Sequence, residues 1–259
     1  MLTLSQITEQ YAEALRPFKR NILREYLQYK ILEIMFASEY ATKLSFLGGT
    51  ALRIVYGNTR FSEDVDFDNF GLKEDEFDGI AEKVRLGLDA LGLKTEIDTV
   101  SKGGYRCRVR LPEILFVNEL SPHQEEKILI QIDTVAHEYA YKPDEKILNK
   151  FDVFSKIFVT PPSILLSQKF FAAINRKRAK GRDFYDIIFL LSFAKPDYVY
   201  LAQKIGASTS NELRGKVLEM AKGLDFQALA QDVSPFLFIP SDAKKVELFP
   251  QFIAQANLG

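Results

Sequence analysis

The chain has 259 residues, of which 47% are hydrophobic and 27% charged, and its formal net charge is −1. These values are typical of a globular protein with a large core, and they exclude a polycation that binds nucleic acid through bulk charge. The single cysteine, Cys107, excludes an intramolecular disulfide, and we interpret it as a strand residue rather than a nucleophile. No apolar run is long enough to span a bilayer, and the N-terminus lacks the pattern of a signal peptide. A reducing, cytoplasmic location without membrane contact is therefore expected.

The first part of the chain mixes predicted helices and strands. Apolar residues at helical spacing predict a first long helix around Leu23 to Ile34, followed by a short strand over residues 44–47. The pair Gly48-Gly49 predicts a tight turn, after which residues 50–56 are predicted to form a helix. Further along, the pattern predicts a helix over residues 74–91, a hairpin of residues 94–100 and 105–111, and a strand over residues 127–135.

Helical patterns dominate after Phe158, with helices predicted over residues 164–178 and 182–193. This change of character predicts two domains, residues 1–158 and residues 159–259. The fold class is therefore α/β (α+β), with a mixed sheet and flanking helices in the first domain and a helical second domain.

An acidic strand is the first feature that indicates chemistry. Residues 64–68 alternate between acidic and apolar side chains, so Asp64, Asp66 and Asp68 would share one face of a strand. Carboxylates crowded on one face repel one another and need a counter-charge. Mg²⁺ supplies it by binding one or two carboxylates together with substrate phosphates, and Mn²⁺ is the alternative ion. By itself, an acidic strand of this kind could equally be a solvent-exposed edge strand of a sheet without a metal ion.

The turn Gly48-Gly49-Thr50 is the second feature. Two glycines let the backbone approach a phosphate closely, and the following helix N-terminus directs N–H groups toward it. Thr50 adds a hydroxyl donor. A Gly-Gly pair by itself is usually only a turn, but its place shortly before an acidic strand favours a phosphate site next to a metal site.

Asp133 is predicted to be a third acidic member of this site. It ends a strand in which three isoleucines occupy the opposite face. It could be the third metal ligand and help to deprotonate an incoming hydroxyl, or it could simply make a turn contact at the strand end. The two histidines, His123 and His137, lack the neighbouring ligands of a structural zinc site.

Residues 169–186 contain the last candidate group. Lys169 lies on an otherwise apolar predicted helix, from which it reaches either water or a phosphate. The basic run of residues 176–182 falls at a helix C-terminus, where cations are favoured in any case. Alternatively, this basic run contacts a phosphate-rich partner such as the backbone of an RNA.

These residues resemble the AbiEii/AbiGii toxin family of nucleotidyltransferases, members of the DNA polymerase beta-like superfamily. The matching stretches are residues 46–53, with a GG[S/T] turn, and residues 60–67, with a D-x-D motif. A later family motif, a lysine followed by R-D-x-x-D, matches Lys169 and residues 182–186.

The resemblance implies a nucleotidyltransferase fold and assigns roles to individual residues. Asp64 and Asp66 would hold the metal ion, whereas Thr50 and Arg53 would face the nucleotide. Lys169 would contact the triphosphate, and Asp183 would complete the active site. Two alternatives stay open: Asp68 offers a second D-x-D register with Asp66, and Asp186 offers a second position for the role of Asp183.

The resemblance also implies a function. Such proteins are toxins of bacterial toxin–antitoxin or abortive-infection systems, and some relatives add nucleotides to the 3′ end of tRNA. We therefore expect a Mg²⁺-dependent transfer of an NMP from an NTP to an RNA hydroxyl, with release of pyrophosphate, and a cognate antitoxin as partner. The alternatives are transfer to a small molecule or a protein hydroxyl, and an inactive relative that binds RNA or protein. The sequence identifies neither the NTP nor the oligomeric state.

Overall fold

A computed structural model describes residues 1–136 and 138–259, so the prediction about His137 lies outside the described residues. The chain divides into two units. Unit 1 consists of Met1–Tyr56 and Phe61–Val159, and unit 2 consists of Gly57–Arg60 and Thr160–Gly259. Within the described ranges, no helix is both long enough and apolar enough to cross a membrane.

A mixed β-sheet forms the centre of unit 1. Its described strands are β1 (Leu44–Leu47), β2 (Val65–Asn69), β3 (Glu96–Val100), β4 (Tyr105–Leu111), β5 (Ile128–Ala136), β6 (Asp144–Lys150) and β7 (Val153–Val159). Their order across the sheet is β3-β4-β5-β2-β1-β7-β6. The pairs β2–β5 and β1–β7 are parallel, and the other neighbouring pairs are antiparallel. The acidic strand β2 is therefore central, with a partner on each side.

Helices cover one face of this sheet. The α-helices of unit 1 are α1 (Leu4–Glu9), α2 (Lys19–Phe36), α3 (Gly48–Ile54), α4 (Glu74–Ala90) and α5 (Ile114–Val117). The apolar stripe of α4, which includes Phe77, Val84 and Leu88, is buried, and α4 packs against β3 and β4. Each such side chain contributes about 1.5–3 kcal/mol when it is fully buried. Cys107 and Ile132 are buried on the same side, so alternation turns the other residues of β4 and β5 toward the opposite face.

Unit 2 is built of helices, in agreement with the expected helical character of the C-terminal part. Its α-helices are α6 (Pro162–Asn175), α7 (Gly181–Leu191), α8 (Tyr198–Ile205), α9 (Ser210–Ala221), α10 (Phe226–Val233), α11 (Lys244–Glu247) and α12 (Phe249–Gln255). The rings of Phe184, Phe226 and Phe249 pack against one another, with centroids 4.8 to 5.8 Å apart. This aromatic cluster joins α7, α10 and α12.

The predicted α/β (α+β) class is confirmed by this mixed sheet and the helices that follow it. Several boundaries differ from the sequence predictions: β3 begins at Glu96 instead of residue 94, and α6 ends at Asn175 instead of residue 178. Helix α3 begins at Gly48 instead of residue 50, and β2 begins at Val65, so Asp64 lies just before the strand. The hairpin of β6 and β7 was not predicted.

Candidate active site

Asp66 lies where the chain leaves β1 and turns into α3. Leu47 and Asp66 are aligned on the neighbouring strands β1 and β2, and Gly48 follows with a φ of +79°. A Cβ built on Gly48 would overlap the carboxylate of Asp66 and lie 3.1 Å from its Cγ. Only glycine therefore fits here, for reasons both of backbone conformation and of space. The Asp66 carboxylate lies directly against the glycine turn.

The beginning of α3 offers backbone donors at this place. The residue before the helix is Leu47, which has no polar side chain to cap the first N–H groups. Gly48, Gly49 and Thr50 are themselves buried, whereas Asp66 is partly exposed. The carboxylate of Asp66 is thus the accessible side chain of this turn.

The segment before β2 is held by buried side chains. The Thr50 hydroxyl donates a hydrogen bond to the carbonyl oxygen of Asp64, and Thr50 is fully buried. Gln28 of α2 donates from Nε2 to the carbonyl oxygens of Ser62 and Glu63, both at 3.0 Å. Three consecutive carbonyl groups, those of residues 62–64, are therefore fixed immediately before β2. Thr50 positions Asp64 through its hydroxyl, and its predicted contact with a triphosphate stays a prediction.

Asp133 lies beside Asp66 on the same face of the sheet. The two residues are aligned on the parallel strands β2 and β5, and Arg106 of β4 is aligned with Asp133 on its other side. Arg106 Nε donates to Asp133 Oδ1 at 2.7 Å, and Gln131 donates to Asp133 Oδ2 at 2.7 Å. This hydrogen bond from Arg106, and the charge of Asp133, raise the pKa of Arg106, with a further contribution from Asp64. Asp133 and Asp64 thus both act on the guanidinium group of Arg106, and Asp66 is aligned with Asp133 on the neighbouring strand.

A cleft of 230 Å³ opens next to these residues. Asp66, Arg106 and Asp133 line it together with residues 102–104, the turn between β3 and β4. The cleft is large enough for a phosphate group, with the carboxylates of Asp66 and Asp133 on one wall and the turn of residues 102–104 on another.

The two D-x-D registers differ in the exposure of their carboxylates. Asp68 is only 6% exposed and accepts a hydrogen bond of 2.6 Å from the Tyr141 hydroxyl. Asp64 and Asp66 are both partly exposed. The geometry therefore favours Asp64 and Asp66 as the pair that faces a ligand.

A metal ion fits this arrangement only together with its substrate. Across residues 1–136 and 138–259, no three acidic, histidine or cysteine side chains are grouped closely enough to hold an ion. The predicted set of Asp64, Asp66 and Asp133 is therefore not preformed. Mg²⁺, however, is commonly bound by one or two carboxylates plus substrate phosphates and waters. The residues present fit an ion that arrives with a nucleotide better than one enclosed by protein alone.

Arg53, expected at the nucleotide, is held by a buried acid. Its Nε lies 2.8 Å from Oε2 of Glu25. The other carboxylate oxygen of Glu25, Oε1, lies 2.9 Å from Lys150 Nζ and accepts a hydrogen bond of 2.8 Å from the Tyr11 hydroxyl. Burial alone would raise the pKa of Glu25, but Arg53 and Lys150 outweigh burial and lower it. These contacts join α3 to α2 and β6, and a role of Arg53 in nucleotide binding stays a prediction.

Lys169 and Asp183 lie in unit 2 within a buried charge network. Lys169 Nζ is 3.2 Å from Asp183 and 2.8 Å from Asp186, and Arg60 pairs with Asp186 at 2.7 Å. Burial alone would lower the pKa of Lys169, but Asp186 and Asp183 outweigh it and raise the pKa. Asp186 is completely buried and binds Arg60 through both oxygens. The predicted roles of Lys169 and Asp183 in the reaction stay predictions.

Cys107 is a fully buried residue of β4. Burial raises the pKa of its thiol to about 12. This agrees with its interpretation as a strand residue.

Sequence reasoning missed two residues that contact the candidate site. Gln28 carried no signal, because its target carbonyls are brought to it only by folding. Arg106 had a signal: arginines at positions 106, 108 and 110 alternate with apolar residues, a period of two that is typical of a strand with one exposed face.

Comparisons with known proteins give the family and the fold of the chain. A family model described as "Nucleotidyl transferase AbiEii toxin, Type IV TA system" matches residues 30–246. The fold is similar to the crystal structure of JHP933 from Helicobacter pylori, with a TM-score of 0.55, 17% identity and coverage of 90% of this chain and 91% of that one. A second protein of that species, provisionally named a nucleotidyltransferase, gives a TM-score of 0.54 and 17% identity over 90% of this chain and 94% of its own. At such low identity the two structures show the fold alone. No curated protein matched the sequence.

Proposed function

Because the chain belongs to the AbiEii nucleotidyl transferase toxin family, we propose that it transfers an NMP from an NTP to the 3′-terminal hydroxyl of an RNA, with Mg²⁺ held at Asp64 and Asp66. The family makes the chain a toxin-type nucleotidyltransferase; the ion and the RNA acceptor are the proposal. The observation that carries it is the Asp66 carboxylate lying against the Gly48 turn with Asp133 alongside.

Each residue has a distinct part in the proposed reaction. The glycine turn and the first N–H groups of α3 receive the triphosphate, as helix N-termini do for anions. Asp64 and Asp66 hold the ion, and Asp133 is the third proposed ligand. When bound, Mg²⁺, or Mn²⁺ in its place, offsets the negative charge of the triphosphate. The contribution of the chain is therefore mainly position and charge.

The transfer step then balances as follows. The acceptor oxygen forms a bond to the α-phosphorus, and the bond from that phosphorus to the bridging oxygen of the β-phosphate breaks. Pyrophosphate leaves with the electron pair. The proton of the acceptor hydroxyl passes to the carboxylate of Asp133, which Arg106 and Gln131 hold in place.

Two observations favour RNA as the acceptor. The basic run of residues 176–182 lies in unit 2, between α6 and the first turn of α7, and its Lys177 and Arg178 are exposed. In unit 1, arginine side chains line β4 next to the cleft. A Type IV toxin–antitoxin family also implies a cognate antitoxin as partner.

The direct experiment is a transfer assay with total RNA, Mg²⁺ and each of the four NTPs labelled at the α-phosphate. The proposal predicts label in an RNA band for at least one NTP, and loss of that label on addition of EDTA. A folded protein that labels no RNA with any NTP would overturn it. Label recovered instead in a protein or small-molecule fraction would favour the other acceptor classes.

A second experiment separates an enzyme from an inactive binding module. Expression of the wild-type chain and of Asp66→Ala in the same host gives the comparison. The proposal predicts that growth arrest needs Asp66, whereas full arrest by the variant would support a binding function without catalysis.

A further inference from the structure

Three arginines occupy consecutive outward positions of β4. Arg106, Arg108 and Arg110 alternate with the buried residues Cys107 and Val109. Their side chains are 47%, 36% and 34% exposed. Because strand residues two apart lie on the same face, the three guanidinium groups form one row along β4. We call this set the β4 arginine row.

The row begins at the candidate active site. Arg106, Asp133 and Asp66 are aligned side by side across β4, β5 and β2, so all three lie on one face of the sheet. From Arg106 the row leads away from Asp66, with Arg108 opposite Gln131 and Arg110 opposite Leu129. The arginines therefore lie in line with the place where the proposed transfer occurs.

Each arginine of the row has a carboxylate nearby. Arg108 and Arg110 share one carboxylate, that of Asp98, at 3.0 and 3.6 Å. Asp133 pairs with Arg106, and Asp64 acts on the same guanidinium group. Glu96 is aligned with Arg110 on β3 and pairs with Lys127. The ion pairs of the row thus use two carboxylates for three arginines, and Lys102 in the adjoining turn adds a further positive charge. A guanidinium group carries five N–H donors, so a partly exposed arginine that pairs with one carboxylate can still bind a phosphate oxygen.

We propose that the β4 arginine row binds the phosphates that precede the 3′ hydroxyl of a single-stranded RNA acceptor. This inference rests on the proposed function and adds to it the surface and the form of the acceptor. Arginines two residues apart on a strand are about 7 Å apart, a spacing suited to successive phosphates of one extended backbone. One row of cations serves one backbone, whereas a duplex presents two. Guanidinium groups suit this task because their fork of donors matches phosphate oxygens.

The test compares two double variants that remove the same charge. Arg108→Ala/Arg110→Ala truncates the row and leaves Arg106 beside Asp133 intact. Lys83→Ala/Arg85→Ala removes two cations from α4, which packs on the opposite face of the sheet. Both are compared with wild type in binding of a short fluorescent single-stranded RNA at several salt concentrations, and in transfer to total tRNA. Single-stranded DNA and duplex RNA of the same sequence are further probes.

The row variant is expected to raise the KM for RNA about tenfold, while the KM for NTP and the rate at saturating RNA stay unchanged. The slope of log K against log salt should become shallower by about 1.4, since each phosphate contact contributes about 0.7 for a single strand. Arg108→Lys/Arg110→Lys should restore much of the binding. The α4 variant should behave as wild type, and duplex RNA should bind more weakly than the single strand.

Equal RNA binding by the row variant and wild type would overturn the inference, as would an equal loss in the α4 variant. A preference for the duplex would also contradict it, and tighter binding of single-stranded DNA would reassign the acceptor to DNA. Absence of any transfer by wild type would refute the proposed function instead, and the binding measurements would still report on the row. Thermal unfolding of each variant shows whether a loss comes from misfolding.

Discussion

Replacing Gly48 by alanine would put a methyl group into the space of the Asp66 carboxylate. A Cβ at Gly48 would lie 3.1 Å from both Cβ and Cγ of Asp66 and closer still to one carboxylate oxygen. Ordinary contacts between carbon atoms are about 3.5–4.0 Å, so Asp66 must move. The φ of +79° adds a backbone strain of about 1–2 kcal/mol for any residue with a Cβ, and overpacking adds about 1–3 kcal/mol. We expect Gly48→Ala to lose about 2–5 kcal/mol of stability in total.

The effect on transfer should exceed the effect on folding. A displacement near 1 Å of a catalytic group can cost about a hundredfold in rate, so kcat/KM should fall by about that factor at a temperature where the variant is folded. Gly71→Ala is the matched control, because Gly71 has a φ of +81° and a Cβ built on it meets no described atom within 4 Å.

Urea unfolding and the labelled-NTP assay, run on both variants, give the comparison. Gly71→Ala should show the strain of about 1–2 kcal/mol and normal transfer. Wild-type transfer rates in folded Gly48→Ala would refute the view that Asp66 must occupy this position.

The remaining predictions concern the supporting side chains. Thr50→Val should cost about 1–3 kcal/mol and lower the transfer rate by leaving the Asp64 carbonyl without its donor, whereas Thr50→Ser should restore both, as thermal unfolding and kcat would show. Gln28→Leu should lower kcat more than it raises the KM for NTP, and a variant with normal kinetics would exclude a positioning role. Burial alone would raise the pKa of Asp186, but Arg60 lowers it to about 2, below the unfolded value of about 3.9. The pair therefore stabilises the fold above about pH 4, and this contribution is lost toward pH 2. Asp186→Asn should lower the free energy of unfolding by about 3–5 kcal/mol at neutral pH. Urea unfolding at several pH values should show that this difference between wild type and variant becomes smaller as the pH falls.

Local patterns were enough to predict the elements that carry the site. The alternation of residues 64–68 and the glycine pair at 48–49 are patterns among residues that are adjacent in sequence. The structure has the strand β2 at the first and the start of α3 at the second. The hairpin of β6 and β7 has no such signal, because its turn contains Phe151 with a φ of +59° and no glycine. The ring of Phe151 packs against three tyrosines of distant segments, so tertiary packing determines this turn.

Partners distant in sequence explain what could not be predicted at the site. The sequence indicated that Asp133 lies on the polar face of its strand, but only the β2–β5 register places it beside Asp66. Arg53 follows the glycine turn and matches a nucleotide-binding position by resemblance, yet Glu25 of α2 is its buried partner. An ion pair with a residue 28 positions away leaves no pattern in a single sequence.

The central claim is that the carboxylate of Asp66, which lies against the Gly48 turn, is required for the transfer reaction as a ligand of the metal ion. Single-turnover transfer of labelled NMP by Asp66→Asn and Asp68→Asn tests it most directly, since both acids lie on the same face of β2 and only Asp68 is buried against Tyr141. The account predicts a loss of at least about a thousandfold for Asp66→Asn and near-normal transfer for Asp68→Asn. Normal transfer by Asp66→Asn, or a loss confined to Asp68→Asn, would contradict it.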